Sequence, residues 1–329
     1  MHVRAKALST GVTIGALIAL GAMLIGGTTA ASGTNAGAAA KCKEAKNVEA
    51  IIDDSGSMAT SDPAKFRTSL LNTFANISAN NGLIFGGGEF GDNYAPLFGP
   101  STIPGVIAAM QASFVLVDAD NGGTDYQEAF SGATAHNGAA DARIFLTDGF
   151  PNAYPTSHLS PRIKTYVIGL GAEFASDPIA QATLGQIAAE TGGPPPFLVT
   201  DPSQIQPVAG AITAALNCKQ IRTFTDEFDE QGDSAKHASK ANGRSMDILT
   251  TWGTAGSGTN LSVSVNVANP NAKAGSAVAT ASAVKVKKKK GPGFTTIRVK
   301  GLRKGQKVKF KIKAKALAVP TVATTQVIK

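Results

Sequence analysis

Residues 48–58 read VEAIIDDSGSM. Val48 to Asp53 is a short apolar run of strand type, and the Ser/Gly-rich stretch after it can only turn. The same pattern recurs downstream. ARIFLT, Ala142 to Thr147, is a buried strand that runs into Asp148-Gly149, and IKTYVIGL, Ile163 to Leu170, is another. Phe197 to Val199 makes a last strand. Between these runs the spacing turns helical. Asp62-Pro63 reads as a helix start, with Phe66, Leu70, Leu71, Phe74 and Ile77 one turn apart beyond it. Further helices are expected over about Ile103 to Ser113, Asp125 to Thr134, Pro178 to Glu190 and Pro202 to Asn217. Gly82 to Phe85 and Glu89-Phe90 read as a strand or hairpin broken by Gly86-Gly87-Gly88. Strands that are apolar throughout, alternating with helices, predict a doubly wound, mostly parallel α/β sheet with helices on both faces. In such a sheet the ligand site lies beyond the carboxyl ends of the strands.

Polar residues gather at those ends. Asp53, Ser55 and Ser57 lie in the turn after the first strand, Thr124 follows Gly122-Gly123, and Asp148 ends the ARIFLT strand. Two carboxylates and three hydroxyls at one edge make a hard oxygen cage, which suits Mg²⁺ or Mn²⁺. Thiolate and imidazole ligands are absent from the set, which argues against zinc or copper. Singly, each residue has an ordinary reading as a turn or helix cap. It is their combination that points to a metal.

DDSGSM resembles the DxSxS motif of von Willebrand factor type A domains, and it is followed, in family order, by the threonine loop GGTD and the aspartate of LTDG. The resemblance covers about Asn47 to Leu216. It implies a metal-ion-dependent adhesion site in which Ser55, Ser57 and Thr124 coordinate through hydroxyls while Asp53 and Asp148 act directly or through water. It also implies one open coordination position, filled in many relatives by a carboxylate of a protein ligand. An ion held by neutral hydroxyls keeps enough charge to attract that carboxylate. Asp54 departs from the pattern: an extra acid in the variable position would either tighten cation binding or repel an acidic ligand.

Outward from this module, Arg4 and Lys6 precede an uncharged apolar run, Gly11 to Gly27, and then Thr28-Thr29-Ala30-Ala31-Ser32. That is the three-part pattern of a secretory signal over residues 1–31, with an uncleaved anchor as the alternative. Residues 32–46 form a small-residue lead-in, residues 47–217 the α/β domain and residues 219–329 a second domain. No later segment is long and apolar enough to span a bilayer, so the mature protein is expected to be secreted or associated with the cell envelope. Cys42 and Cys218 sit just outside the two ends of the α/β module, and export makes a disulfide between them the natural reading. Such a bridge contributes roughly 4–5 kcal/mol in the loop-entropy model.

The net charge of +8 hides a split. Residues 42–218 carry 7 Lys+Arg and 17 Asp+Glu, a net −10, whereas residues 219–329 carry 21 and 6, a net +15. Past Cys218 seven short strands are expected: Ile221 to Phe228, Met246 to Trp252, Leu261 to Val267, Ala277 to Val286, Phe294 to Val299, Val308 to Ala314 and Thr321 to Ile328. They predict a smaller all-β, immunoglobulin-like sandwich, with Trp252 in its core. Lys307, Lys309, Lys311, Lys313 and Lys315 alternate with apolar residues and share one face, and Lys287, Lys288, Lys289 and Lys290 cluster at an expected hairpin tip. Such lysines either solvate a face and guard an edge or hold a polyanion such as an anionic envelope polymer. Few aromatics interleave with them, which disfavours nucleic acid.

Two cysteines and four histidines with no HExxH exclude a disulfide scaffold and disfavour a zinc hydrolase. His136 and His158 read as residues of polar loops, with no nucleophile near them. Asn76 and Asn260 open glycosylation sequons, the first on a helix. The leading expectation is a non-enzymatic adhesion or protein-binding module that captures an acidic side chain through a divalent cation. An envelope-associated structural protein working through its basic domain is the first rival, and a metal-dependent hydrolase the second.

Overall fold

The computed structural model describes residues 42–149, 151, 158–252, 258–267, 284–291, 294–318 and 320–329. The signal segment, most of the lead-in and residues 277–283 of the fourth expected sandwich strand lie outside them.

The α/β module runs β1 (Asn47–Asp53), α1 (Met58–Ser61), α2 (Phe66–Asn76), β2 (Ile84–Phe90), β3 (Tyr94–Thr102), α3 (Ile107–Ser113), α4 (Tyr126–His136), β4 (Ala142–Thr147), β5 (Lys164–Leu170), α5 (Gly171–Ser176), α6 (Pro178–Glu190), β6 (Phe197–Val199) and α7 (Pro202–Leu216). The sheet order is β3-β2-β1-β4-β5-β6. Every neighbour pair is parallel except β2–β3, which closes one edge as an antiparallel hairpin. The period of two along each strand feeds two cores. Val48, Ala50 and Ile52 pack with Leu70, Phe74, Val208 and Ile212 of α2 and α7. Ile51, Phe145 and Val167 pack with Phe130 of α4 and with Leu184 and Ile187 of α6. Each such side chain contributes roughly 1.5–3 kcal/mol by burial. Both faces are thus covered, and the strand order reverses between β1 and β4, the switch point beyond whose carboxyl ends such sheets bind their ligands.

Three local expectations change. The helix expected from Asp62-Pro63 starts at Phe66, because the Asp62 carboxylate reaches forward to accept from the backbone N–H of Phe66 and Arg67 (2.6 and 3.1 Å) and pairs with the Arg67 guanidinium (3.0 Å). The helix expected from Ile103 starts at Ile107. Gly86-Gly87-Gly88 do not break β2 but run through it. A Cβ on Gly86 would sit 2.6 Å from Glu49 Oε2, and one on Gly87 2.6 Å from the Phe98 ring, so the missing side chains admit groups from both neighbouring strands.

The described residues of the second module form eight strands: β7 (Ile221–Phe228), β8 (Ser234–Lys240), β9 (Ser245–Trp252), β10 (Asn260–Val267), β11 (Lys285–Gly291), β12 (Phe294–Lys300), β13 (Lys307–Ala316) and β14 (Thr321–Ile328). They form antiparallel sheets of order β10-β13-β8 and β11-β12-β9-β14-β7 around one core that includes Phe228, Trp252, Val263, Val299 and Phe310. SAKHASK, which becomes β8, lacks an apolar alternation and was not expected as a strand. The hairpin expected at Gly291-Pro292-Gly293 joins β11 to β12, and the lysines at 287–290 run along its β11 arm up to the turn, with Lys290 opposite Thr295 and Gly291 opposite Phe294; β11 is an edge strand.

One covalent link closes the α/β module, and noncovalent contacts join it to the second module. Cys42 and Cys218 form a disulfide, with Cα atoms 5.7 Å apart, that ties the entry of the α/β module to its exit. Leu249 and Ile328 of the second module pack into the core beside α7, and Gln326 Nε2 donates to the Pro207 carbonyl (2.9 Å).

Candidate metal centre

Three loops meet at the carboxyl ends of β1 and β4. β1 delivers Asp53, fully buried, into the loop that carries Ser55 and Ser57. Asp53 Oδ1 accepts from the Ser55 N–H (2.9 Å) and hydroxyl (2.6 Å), and the Ser55 and Ser57 hydroxyls lie 3.1 Å apart. The other oxygen, Oδ2, accepts from the Thr147 hydroxyl at 2.5 Å, and Thr147 in turn lies 2.7 Å from the Tyr126 hydroxyl. β4 delivers Asp148, also fully buried. Its Oδ2 accepts from Ser61 (2.9 Å), while its Oδ1 is buried with no hydrogen-bond partner.

Thr124 stands just before Asp125, the N-cap of α4, and is 5 % exposed. Its loop is pinned to the first one, because the Gly56 N–H donates to the Gly122 carbonyl (2.9 Å) and the Asn121 N–H to the Asp54 carbonyl (3.1 Å). Gly122 has φ +67°, and a Cβ there would meet the Asp92 carboxylate, which accepts from the Gly123 N–H (2.9 Å). Glycine is required at that turn.

The electrostatics follow from burial. The Asp53 carboxyl is pushed up to about 7, first by desolvation and then by the Asp148 charge, against the pull of the Ser55 and Thr147 hydrogen bonds. Two buried carboxylates are thus offset only by neutral donors, and one buried oxygen is unmatched. Such a group must be neutralised or paired. Hydroxyl and carboxylate donors with an orphaned oxygen among them fit a hard divalent cation.

Asp54 is not part of this set. Its Oδ1 accepts from Arg67 Nη2 (3.1 Å) and from the Ala119 N–H (2.8 Å). Residues that sequence reasoning passed over are Thr147 and Ser61, which hold the two aspartates; Thr147 was read only as the end of a buried strand. His136, expected in a loop, ends α4 with Nδ1 2.7 Å from the buried Glu49.

The strand order and the meeting of the DxSxS, threonine and aspartate loops at its switch point decide the fold. The first module has a von Willebrand factor type A-like fold.

No protein-family model matches the chain, and no curated protein matches it. Among solved structures, this chain is similar to proximal thread matrix protein 1 of the mussel byssus at 16 % identity and a TM-score of 0.43, over 55 % of this chain and 50 % of that one. It is similar to the pilus adhesin SpaC from Lactobacillus rhamnosus GG at 13 % and 0.44, over 83 % and 40 %. A von Willebrand factor type A structure from Catenulispora acidiphila aligns at 14 % and 0.40, over 83 % and 59 %. The chain therefore spans about half the length of the byssus protein. Such identities and scores say nothing about ligand or activity.

The lysine positions divide. In β13, Val308, Phe310, Ile312 and Ala314 are buried, and Lys307, Lys309, Lys311, Lys313 and Lys315 take the alternate positions. β13 is the central strand of its sheet, so its lysines do not guard an edge. In β11 the Lys288 ammonium donates to the Val263 carbonyl and Lys289 to Asn76 Oδ1, so two of that cluster are engaged within the protein.

Proposed function

We propose that the protein is a binding module rather than an enzyme, and that its A-type domain captures a carboxylate of a protein ligand through Mg²⁺ or Mn²⁺. Ser55, Ser57 and Thr124 would supply hydroxyls to the ion, and Asp53 and Asp148 the charge. The observation that carries this reading is the buried Asp53–Asp148 pair, with its unmatched Asp148 Oδ1 and only hydroxyl donors to offset it. The ion would supply an electrophilic position for an incoming carboxylate, while Thr147 and Ser61 hold the two aspartates in place.

The reading puts the chain outside the cytoplasm, secreted or on the envelope, in keeping with the signal expected at residues 1–31. Among the described residues no helix is long and apolar enough to cross a membrane. The test is capture of ligands from a surface extract of the source cells in millimolar Mg²⁺, repeated in chelator and with Asp148→Ala. Capture that chelator and Asp148→Ala both abolish supports the reading, and capture indifferent to both overturns it.

A second reading has its own observation. A groove of about 630 Å³ on the β10-β13-β8 sheet is lined by Lys236, His237, Lys307, Lys309, Phe310 and Lys311 among others. Four ammonium groups around one groove suit an anionic polymer of the envelope.

A further inference from the structure

Asp54, the acid that departs from the family pattern, turns away from the Asp53 cage and toward another group of carboxylates. One carboxylate oxygen from each of Asp54, Asp118 and Asp120 lies within 4.8 Å of the others. Asp54 is 0 % exposed, and although its Oδ1 is taken by Arg67 and Ala119, its Oδ2 is buried with no hydrogen-bond partner. A fourth acid looks on from β2: Glu89 Oε2 is also buried and unmatched. Its carboxyl is pushed up to about 7, first by burial and then by the charges of Asp54, Asp120 and Asp118. The cation that opposes them, Arg67, is shared with Asp62 (3.0 Å). Four carboxylates and part of one guanidinium leave a surplus of negative charge against low-dielectric walls, and two buried oxygens in it have no donor. Unpaired buried charge of this kind is costly.

We propose that Asp54, Asp118 and Asp120, with Glu89 beside them, form a second divalent-cation site of the Ca²⁺ class, separate from the Asp53–Asp148 cage. Three carboxylates with a fourth beside them are more than the one or two by which Mg²⁺ is usually bound, and suit Ca²⁺, which takes about six to eight oxygen ligands. Asp118 and Asp120 are exposed, which gives the ion an entry path and leaves coordination positions for water. Asp54 also links the two sites through the backbone, since its carbonyl accepts from Asn121, three residues before Thr124. An ion bound by Asp54, Asp118 and Asp120 would fasten the start of the loop that presents Thr124.

The test is calorimetric titration of CaCl₂ into the chelator-stripped full chain, in the wild type, in Asp118→Asn/Asp120→Asn and in Asp148→Ala. The wild type is expected to take two ions. Asp118→Asn/Asp120→Asn should lose one of them, with affinity at that site falling at least about tenfold, and should keep the one that Asp148→Ala loses. Both asparagines replace exposed acids, so the variant should melt in chelator no lower than the wild type. Ca²⁺ binding that is unchanged in stoichiometry and affinity in Asp118→Asn/Asp120→Asn overturns the second site. If a single ion is found, its loss only in Asp148→Ala also overturns the second site and leaves the first standing. Its loss only in Asp118→Asn/Asp120→Asn upholds the second and means that the first does not take Ca²⁺.

Discussion

At Asp53 the two carboxylate oxygens are held by different neighbours, Oδ1 by Ser55 and Oδ2 by Thr147. The first partner belongs to the motif and was legible as soon as VEAIIDDSGSM was read. The second is 94 residues away, and its hydroxyl meets Asp53 only because β4 lies beside β1. Motif spacing therefore singled out Asp53, Ser55, Ser57, Thr124 and Asp148 as the candidate set but not the residues that hydrogen-bond to the two aspartates. It also left open what Asp54 does, because which side of a loop an acid faces depends on Arg67 and Ala119, which only the fold brings near. Thr147→Val preserves shape and removes the hydroxyl. Mg²⁺ affinity is expected to fall about 10- to 100-fold, as for other groups that orient a ligand. Stability in chelator should drop by roughly 1–3 kcal/mol, since the Tyr126 hydroxyl also loses its partner. Titration and thermal melts on the same variant check both. An unchanged Mg²⁺ affinity would reduce Thr147 to a core residue.

Among the elements, β1, β4, β5, α6, β6 and α7 were plain in the sequence because each is long or apolar enough to state its period. β3 was not, since YAPLFGPST carries two prolines and sits at a sheet edge, where missing N–H donors are tolerated. The glycines of β2 looked like a break because their purpose lies in the neighbouring strands. β13 was read correctly as a strand with its lysines on one side, but it is central in its sheet, so Lys307, Lys309 and Lys311 line a groove and do not guard an edge. Changing Lys307, Lys309 and Lys311 together to Gln should weaken retention on a polyanion column and shift elution to lower salt, because exposed lysines act through a field screened over about 10 Å at 0.1 M salt. Folding should change by no more than about 0.5 kcal/mol per site, and Mg²⁺ affinity should not move. Unchanged retention would leave the groove as a solvated surface.

Over the whole molecule, charge burial sets a pH dependence that metal should cancel. In the metal-free chain the Asp53 and Glu89 carboxyls are both pushed up to about 7, from ordinary values of 3.8 and 4.5. Between those ordinary values and about 7 the folded chain holds protons that the unfolded chain has released. Stability contributed by these groups is therefore full below pH 4 or so and is lost as pH rises through about 7. In chelator the melting temperature should accordingly be lower at pH 8 than at pH 5.5, and added divalent cation should raise it more at pH 8. A melting temperature in chelator that climbs across this range contradicts the surplus of buried negative charge on which both cation sites depend.

The domain split was legible in the charge balance and in Cys42 and Cys218, which the disulfide joins. The docking of β9 and β14 on α7 was not, because Leu249, Ile328 and Gln326 look like ordinary strand residues until α7 covers them. The central claim is that Asp53 and Asp148, at the carboxyl ends of β1 and β4, hold a divalent ion. Mg²⁺ titration by calorimetry, on the wild type and on Asp148→Ala, tests it most directly. The account expects one ion per chain at this site, bound at millimolar Mg²⁺ or below and lost in Asp148→Ala, with a rise in stability of about 2.7 kcal/mol at one hundred times the dissociation constant. Wild-type protein that takes up no Mg²⁺ or Mn²⁺ at millimolar concentration, or an Asp148→Ala variant that binds as tightly as the wild type, would contradict it.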